Sequence, residues 1–188
     1  ANANSIHTIR WVAWLKERSH KVCAFSLNEG DNSEYFGPEP PLNRSTIFNL
    51  GRDVRKTTKN LQAKLDEFKP DIVHGFFLTN HGMYSSRITG YPKVVTVLGS
   101  DALISPNESK LMSWIVKKTI KNSNLIISVA DHLNDVVSPW KKDNVKSITS
   151  PLGIDVKKFK PLEKEKLIIF NRGFKEVYSP STLIEAIS

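Results

Sequence analysis

The sequence predicts an α/β domain in which helices cover a doubly wound parallel sheet. From residue 69 onward, short apolar strands alternate with amphipathic helices, and this alternation is typical of a parallel sheet with helices on both faces. The predicted strands are residues 21–26, 71–74, 93–98, 124–129 and 145–148. The strand at 93–98 is rich in valine, whose branched side chain packs well in a sheet. We expect ligands to bind at the carboxyl ends of these strands.

A helix is predicted directly before the first strand. Ser5 is its candidate N-cap, and the apolar residues that follow at helical spacing are Ile6, Ile9, Val12 and Leu15. Trp11 and Trp14 widen this apolar face, which we expect to be buried. Because a strand normally precedes the first helix of a doubly wound domain, we expect a further strand upstream of residue 1.

The remaining helices and loops follow from the same patterns. A second helix carries apolar residues at Leu50, Val54, Leu61 and Leu65 and ends at Phe68, before a proline. Helices are also predicted at 81–89, at 108–122 and at 130–138. In the helix at 108–122 the predicted buried residues are Leu111, Met112, Ile115, Val116 and Thr119. Residues 28–49, with several Gly, Pro and Asn, are predicted to be a long loop.

A change in composition predicts a domain boundary after residue 157. Residues 159–165 are charged and contain a proline, residues 167–170 resemble a new apolar strand, and residues 181–188 resemble a new helix. We therefore expect residues 1–157 to form one domain. Residues 158–188 would be a linker with the first strand and helix of a second domain, inside which the sequence ends.

Bulk properties exclude several classes of protein. The chain has 188 residues, of which 39% are hydrophobic, enough for one domain with a core. Its single cysteine, Cys23, rules out an internal disulfide and a thiolate zinc cluster; we expect it to be buried, in a reducing cytosol. No apolar run reaches the roughly 18 residues of a membrane-spanning helix, and the N-terminus does not resemble a signal peptide.

The charge and the motifs narrow the function further. The net charge of +8 suits polyanionic partners, but basic and aromatic residues are not interleaved as in proteins that bind single strands, so nucleic acid is not expected. The sequence contains no G-x-G-x-x-G, Walker A, H-E-x-x-H or G-x-S-x-G motif. Its five histidines lack metal-ligand spacing, so a metalloenzyme is not expected.

Candidate site residues stand where the predicted strands end. His74 closes the strand at 71–74 and is either a substrate contact or a satisfied buried histidine. His81 is a candidate base, although a helix-start residue is the simpler interpretation. Asp101 either acts at the site or caps a turn, and Gly99 before it would let backbone N–H groups approach a bound oxygen. Gly153 fits a turn that requires a positive φ.

Arg172 follows the predicted strand of the second domain, beside Gly173. A planar guanidinium next to glycine at the end of a strand suits the binding of a phosphate. The alternative is an ordinary ion pair with Glu176 or Glu185.

Four segments of the chain together match a known family pattern. They are S-I-H-T-I-R-W-V with L-K-E-R-S-H-K-V at 5–22, K-P-D-I-V-H at 69–74, P-L-G-I-D with K-F-K-P at 151–161, and I-I-F-N-R with L-I-E-A at 168–186. In this order they resemble the family-4 retaining glycosyltransferases of the GT-B fold. The third is similar to the family's P-N-G-[VI]-D-x-x-x-F-x-P linker. The resemblance implies a Rossmann-like GT-B N-terminal domain and the start of a C-terminal domain that binds a nucleotide sugar.

The sequence departs from the family pattern at four positions. Leu152 replaces an asparagine and Asn171 a glycine, and Tyr178 stands near the position of a lysine that holds the donor diphosphate. Leu98 replaces a histidine that often lies near the transferred sugar, whereas Asp101 is retained. A non-catalytic module of the same fold therefore stays open as an alternative.

The resemblance also implies a reaction and the roles of named residues. A sugar would pass from a nucleotide diphosphate to an acceptor hydroxyl with retention. The implied roles are hydroxyl orientation by Asp101, His74 and His81, acceptor contact by Ser5, His7, Gly99 and Ser100, and donor phosphate binding by Arg172. No metal is required, because cationic side chains stabilise the leaving group. A sugar-nucleotide epimerase is the alternative enzyme.

The implied partners are a nucleotide sugar and a glycan or lipid-linked acceptor, with a peripheral contact to a membrane and no nucleic acid. The expected place is the cytoplasm, at the inner membrane surface, in the synthesis of a glycan, glycolipid or polysaccharide. We expect the 188-residue chain alone to be inactive.

Overall fold

The computed structural model describes residues 4–27, 34–35, 47–174 and 176–187. The chain divides into two compact units, Ala1–Leu152 and Gly153–Ser188, whereas the sequence predicted a division after residue 157. Each unit is described by itself.

The first unit alternates helices and strands through most of its length. In chain order the elements are α1 (Ile6–Glu17), β1 (Phe25–Ser26), β2 (Glu34–Tyr35), α2 (Ile47–Phe68), β3 (Val73–Phe76), α3 (Asn80–Ser85), β4 (Lys93–Val97), α4 (Ser100–Leu103), α5 (Ser105–Glu108), α6 (Lys110–Lys121), β5 (Leu125–Ser128), α7 (Asp131–Val137), a 3-10 turn (Ser138–Trp140) and β6 (Lys146–Thr149). None of the helices in the described ranges is long and apolar enough to cross a membrane.

Strands β3, β4, β5 and β6 form one parallel sheet in that order, which confirms the predicted architecture. One row across the sheet runs from Gly75 through Val95 and Ile126 to Ser147. Consecutive strands are therefore neighbours, as expected when each helical connection returns the chain to the adjacent position.

The predicted strand at 21–26 is much shorter than expected. Only Phe25–Ser26 is extended within a sheet, where it pairs in parallel with Glu34–Tyr35 in a separate two-stranded sheet. The second of these strands lies inside the predicted loop at 28–49, and the prediction was wrong there. Residues 28–33 and 36–46 of that loop lie outside the described residues. Cys23, predicted to be buried, is half-buried.

The core of the sheet lies against α6 and α7. Val95, Val97 and Ile126 are fully buried there, together with Val116 and Ile120 of α6. A second cluster joins α2 and α3, with Leu61, Leu65, Met83 and Tyr84 among its members. The buried face predicted for α6 is confirmed except at Leu111, which is 38% exposed.

The buried face predicted for α1 is wrong in part, since its apolar residues are at most half-buried. Ile6 and Ile9 are exposed and Trp14 is 48% exposed, whereas the polar Thr8 is buried. The helix contacts the sheet through Trp11, whose ring meets the rings of His74 and Phe76 on the edge strand β3. Because that contact fixes the rotation of the helix, only part of its apolar stripe is covered.

The second unit contains a turn and a helix. Its described residues form a 3-10 turn (Glu176–Tyr178) and α8 (Pro180–Ile187), and α8 confirms the helix predicted at 181–188. The strand predicted at 167–170 does not form, and Leu167, Ile168 and Ile169 are 64–73% exposed. A single strand has no partner for its backbone N–H and C=O groups, and no β-strand occurs among residues 153–174 and 176–187. Gly153 has a φ of 70°, as its predicted turn requires.

Candidate functional site

The loops that follow β3 and β4 lie side by side. The backbone N–H of Phe77 donates to the carbonyl of Thr96 at 3.0 Å, which extends the pairing of the two strands to their ends. Phe77 has a φ of 73°, an unfavourable value for a bulky side chain, so the chain turns abruptly after β3. The N–H of Gly82 then donates to the Phe77 carbonyl at 2.8 Å, which draws α3 back over the strand.

Two glycines allow α3 to lie directly against this turn. A Cβ atom on Gly75 would overlap the Ser85 hydroxyl oxygen, and a Cβ atom on Gly82 would overlap the Phe77 carbonyl oxygen. Close approach of two backbones is a common reason for glycine in such places. The position of α3, and with it that of His81, depends on both glycines.

Asp101 is fully buried and binds backbone N–H groups in both loops. Its Oδ2 accepts from Leu78 at 2.9 Å, and its Oδ1 accepts from Gly99 at 2.8 Å and from Leu98 at 3.1 Å. Burial raises the pKa of this carboxyl, and the N–H groups of Leu78, Gly99 and Leu98 oppose the rise. The carboxylate therefore holds the ends of β3 and β4 together, and a direct catalytic role for it stays a prediction.

Gly99 and Ser100 open α4 beside this carboxylate. Gly99 has a φ of 138°, which favours glycine. Its N–H already donates to Asp101, so this group is not free for the bound oxygen that the sequence predicted. Ser100 is exposed, and an acceptor contact through its hydroxyl stays a prediction.

His74 is the second residue of β3 and not its end, because the strand runs two residues further than predicted. Its Nε2 lies 2.7 Å from Thr96 Oγ1, its ring stacks on Phe76 at 4.5 Å, and its edge meets Trp11 at 5.8 Å. Burial lowers its pKa to about 4, so the ring is neutral at pH 7. His74 thus supports Trp11 from within the domain.

His81 lies on α3 with its Nε2 atom buried. Among the described residues no group forms a hydrogen bond with that nitrogen, and burial lowers the pKa of the ring to about 3. A buried polar atom without a partner costs free energy, so a hydrogen-bonding group supplied from outside the described residues would stabilise it. In the neutral ring this Nε2 atom either accepts one hydrogen bond or donates one, according to the tautomer.

A cleft of about 220 Å³ lies beside α1 and is lined by His7, Arg10, Trp11, Trp14 and Leu152. The two indole rings have centroids 6.3 Å apart and meet at 57°. The Arg18 guanidinium lies over the Trp14 ring at 3.7 Å and donates to the Trp14 carbonyl at 3.1 Å. This contact limits the motion of Trp14 and leaves a cleft with aromatic walls and polar groups at its rim.

Of the predicted site residues, His7 lines this cleft. His74 lies behind it through Trp11, whereas Asp101 holds the loops after β3 and β4. Ser5 stands at the N-cap position of α1 with extended backbone, but its side chain makes no capping hydrogen bond. Its carbonyl accepts from the N–H of Ile9 at 3.0 Å.

The predicted site did not include Arg10, Trp11 and Trp14, because the apolar spacing of α1 assigned the two tryptophans to the core. The sequence nevertheless contains a pattern that indicates these residues. His7, Arg10, Trp11 and Trp14 recur every three or four residues along one helix face, which is an unusual composition for a buried stripe.

Arg172 lies in the second unit and is exposed. Its guanidinium carbon is 5.6 Å from the centroid of the Tyr178 ring, a cation–π contact. No described carboxylate pairs with it, so the predicted alternative of an ion pair with Glu176 or Glu185 does not occur within residues 153–174 and 176–187. Its role toward a phosphate stays a prediction.

Metal-binding groups are dispersed across the described part of the chain. No three His, Cys, Asp or Glu side chains in that part come together as metal ligands. The prediction that the reaction needs no metal is not tested by this observation.

The parallel sheet has the Rossmann-like fold of a GT-B domain. The chain belongs to the glycosyl transferase 4-like family, whose model matches residues 1–130. That match contains α1, the ends of β3 and β4, and all of the predicted site residues except Gly153 and Arg172.

Comparison of structures supports the same fold. A sucrose-phosphate synthase from Thermosynechococcus elongatus matches with a TM-score of 0.55 over 79% of this chain and 84% of that chain, at 12% sequence identity. This likeness concerns the fold. No curated protein matches the sequence.

Proposed function

We propose that this glycosyltransferase chain transfers a sugar from a nucleotide diphosphate to an acceptor hydroxyl with retention of the anomeric configuration. The acceptor would be a glycan or a lipid-linked saccharide, in the synthesis of a glycan, glycolipid or polysaccharide. The observation that carries this proposal is the aromatic cleft beside α1, which offers a site for a saccharide on the first unit.

The chemistry of the cleft suits one sugar ring. Its volume of about 220 Å³ lies below the roughly 300–1,000 Å³ of sites for drug-sized ligands, so it is too small for a whole nucleotide sugar. The C–H face of a pyranose can pack on Trp11 or Trp14, which are large and apolar. The hydroxyl groups of the sugar can then bond to His7 and Arg10 at the rim.

The remaining predicted residues take two kinds of role in this proposal. Asp101 and His74 are positioning residues, since one holds the loops after β3 and β4 and the other supports Trp11. His81 is the candidate for direct contact with a hydroxyl, because its buried Nε2 has no partner among the described residues. Ser5, Gly99 and Ser100 stay candidates for the acceptor side.

We place the donor diphosphate at Arg172. The diphosphate gains negative charge as its bond to the sugar breaks, and a guanidinium can contact two phosphate oxygens at once. Cationic side chains would then do the work of a metal. In this proposal residues 158–188 belong to the donor side. Because residues 167–170 form no strand, and Leu167, Ile168 and Ile169 are exposed, we expect the 188-residue chain to bind acceptor without turnover.

Titration of acceptor saccharides against the chain, followed by tryptophan fluorescence, tests the cleft. We expect Trp14→Ala to weaken binding by about tenfold, the scale of one lost aromatic contact. Its folding should be unchanged because the side chain is 48% exposed. Ile72→Ala is the matched control, since Ile72 is 60% exposed and lies just before β3. If Trp14→Ala bound the saccharide with unchanged affinity, the cleft would not be the acceptor site.

A second assay on the full-length protein separates the candidate functions. Release of a nucleoside diphosphate that depends on an acceptor supports a transferase. Conversion of the sugar nucleotide without an acceptor identifies an epimerase, and saturable binding without turnover identifies a non-catalytic module.

A further inference from the structure

The cleft beside α1 is rich in hydrogen-bond donors and poor in acceptors. Its lining residues are His7, Arg10, Trp11, Trp14 and Leu152. An arginine side chain and the indole N–H of tryptophan only donate, a leucine side chain does neither, and the imidazole of histidine is the one lining side chain with an atom that accepts. A neutral sugar presents hydroxyl groups, and each of these also donates a proton that needs an acceptor. A group that only accepts hydrogen bonds therefore matches these side chains better than a hydroxyl group does.

The charge around the cleft is positive. Arg10 is exposed, and within the described part of the chain no residue forms a hydrogen bond or an ion pair with it. The Arg18 guanidinium lies 3.7 Å from the centroid of the Trp14 ring, so a second cation stands against one wall. None of the lining residues is acidic, and the first turn of α1 contains no acidic residue. The cleft therefore attracts an anion.

The spacing of Arg10 and Trp14 lets one sugar ring contact both. They stand four residues apart on α1, which makes two side chains neighbours on a helix, with their Cβ atoms about 5–6 Å apart. Arg18 covers one face of the Trp14 ring, so a pyranose would pack on the other face. A carboxylate attached to that pyranose projects from its edge, where a guanidinium one helical turn away can reach it.

We propose that the cleft binds a hexuronic acid residue of the acceptor. The sugar ring packs on the Trp14 indole, and its carboxylate accepts two N–H groups from the Arg10 guanidinium in a planar, bidentate pair. His7 bonds to a hydroxyl group of the same ring. This inference rests on the proposed function and names the substrate class of the same cleft, an acidic saccharide. The acceptor must then come from a reaction that places a uronic acid residue on the growing saccharide.

A carboxylate fits the cleft better than a phosphate. A phosphate monoester carries nearly two negative charges at neutral pH, whereas Arg10 is the one permanently charged residue in the lining. Arg18 is engaged elsewhere, since its guanidinium donates to the Trp14 carbonyl at 3.1 Å. A single guanidinium matches a single carboxylate in both charge and geometry.

Titration with matched pairs of monosaccharides tests the proposal. The methyl glycosides of glucuronic, galacturonic and mannuronic acid are each compared with the neutral hexoside, which differs only in a CH₂OH group in place of the carboxylate. Tryptophan fluorescence of the 188-residue chain reports binding. We expect at least one uronide to bind about tenfold or more tightly than its neutral partner, the scale of a hydrogen bond between charged groups. Salt should reduce this preference, and the hexose 6-phosphates should bind more weakly than that uronide.

Two variants of α1 assign the preference to Arg10. Arg10→Gln should lower the affinity for the uronide about tenfold and leave the affinity for the neutral hexoside nearly unchanged. Lys16→Gln is the matched control, because it removes the same charge from an exposed position on the opposite side of α1. It should leave both affinities unchanged.

Three results would overturn the acidic acceptor while the cleft remained a saccharide site. They are equal affinity within all three pairs, tighter binding of a hexose 6-phosphate than of every uronide, and an acid preference that Arg10→Gln keeps or that Lys16→Gln lowers equally. If none of these saccharides bound, the proposed acceptor cleft would be wrong together with this inference.

Discussion

Asp101 Oδ2 accepts a hydrogen bond from the backbone N–H of Leu78 at 2.9 Å, across 23 residues of sequence. Because Oδ1 of the same carboxylate accepts from Gly99 at 2.8 Å, one side chain joins the loops at the ends of two neighbouring strands. These loops lie where ligands of parallel α/β sheets bind. The carboxylate thus sets the shape of the candidate site.

Replacement of Asp101 by Asn should destabilise the fold. The amide keeps the shape of the side chain but places an NH₂ group against a backbone N–H, so a buried donor loses its acceptor. We expect a loss of about 1–3 kcal/mol in the free energy of unfolding, measured with urea. Asp135→Asn, on the exposed side of α7, is the control and should change stability by less than about 0.5 kcal/mol. If the two variants were equally stable, the carboxylate would not hold the loops.

The stability of the domain should fall as the pH falls below 6.5. Burial lowers the pKa of His74 from 6.5 to about 4 and that of His81 to about 3. At a pH between the ordinary and the lowered pKa of each histidine, the unfolded chain binds more protons than the folded chain. The free energy of unfolding therefore has its full value above pH 6.5 and decreases as the pH falls. For His74 alone the shift corresponds to roughly 3 kcal/mol.

Urea unfolding as a function of pH measures this effect. His74→Gln should remove about half of the histidine-dependent loss between pH 6.5 and 4, because His81 still resists protonation in the folded state. His132→Gln changes an exposed histidine on α7 and should not alter how the free energy of unfolding depends on pH. If His74→Gln left the pH dependence of the free energy of unfolding unchanged, the His74 ring would not be buried and neutral in the folded chain.

Two glycine substitutions should change the stability of the domain in opposite directions. In Gly82→Ala the new methyl group would overlap the carbonyl oxygen of Phe77, and backbone cannot move aside cheaply, so we expect a loss of about 2 kcal/mol or more. In Gly51→Ala the methyl group meets nothing within 4 Å. Since Gly51 lies in α2, alanine should stabilise the helix by up to about 1 kcal/mol. Thermal unfolding compares the two; loss of stability in Gly51→Ala, or none in Gly82→Ala, would contradict this packing.

Arg172→Ala in the full-length protein should lower kcat by about a hundredfold or more, the scale of a lost charge-stabilising donor. Thermal stability should change little, because Arg172 is exposed and its described contact is the Tyr178 ring. Lys160→Ala removes another exposed cation of the second unit and should leave kcat unchanged. Normal transfer kinetics in Arg172→Ala would show that the guanidinium does not stabilise the leaving diphosphate, and its contact with the Tyr178 ring would be its remaining role.

The sequence alone determined the local elements and the class of the fold. The strands β3 to β6, the helices α2 and α6 and the turn at Gly153 were predictable, because apolar periodicity and the backbone freedom of glycine act within a few residues. The order of these elements also predicted the parallel sheet. The four quoted segments indicated the glycosyltransferase family, and the match over residues 1–130 then showed it.

Only the tertiary structure decided which groups meet. The pattern of α1 predicted a buried stripe, but contact between Trp11 and His74 turned Trp14 outward into a cleft. The role of Asp101 depends on Leu78, which is distant in sequence and near in space. The apolar run at 167–170 did not form a strand, because a strand requires hydrogen bonds to a neighbouring strand. Local pattern fixes an element's type, whereas its exposed face and its partners depend on groups far along the chain.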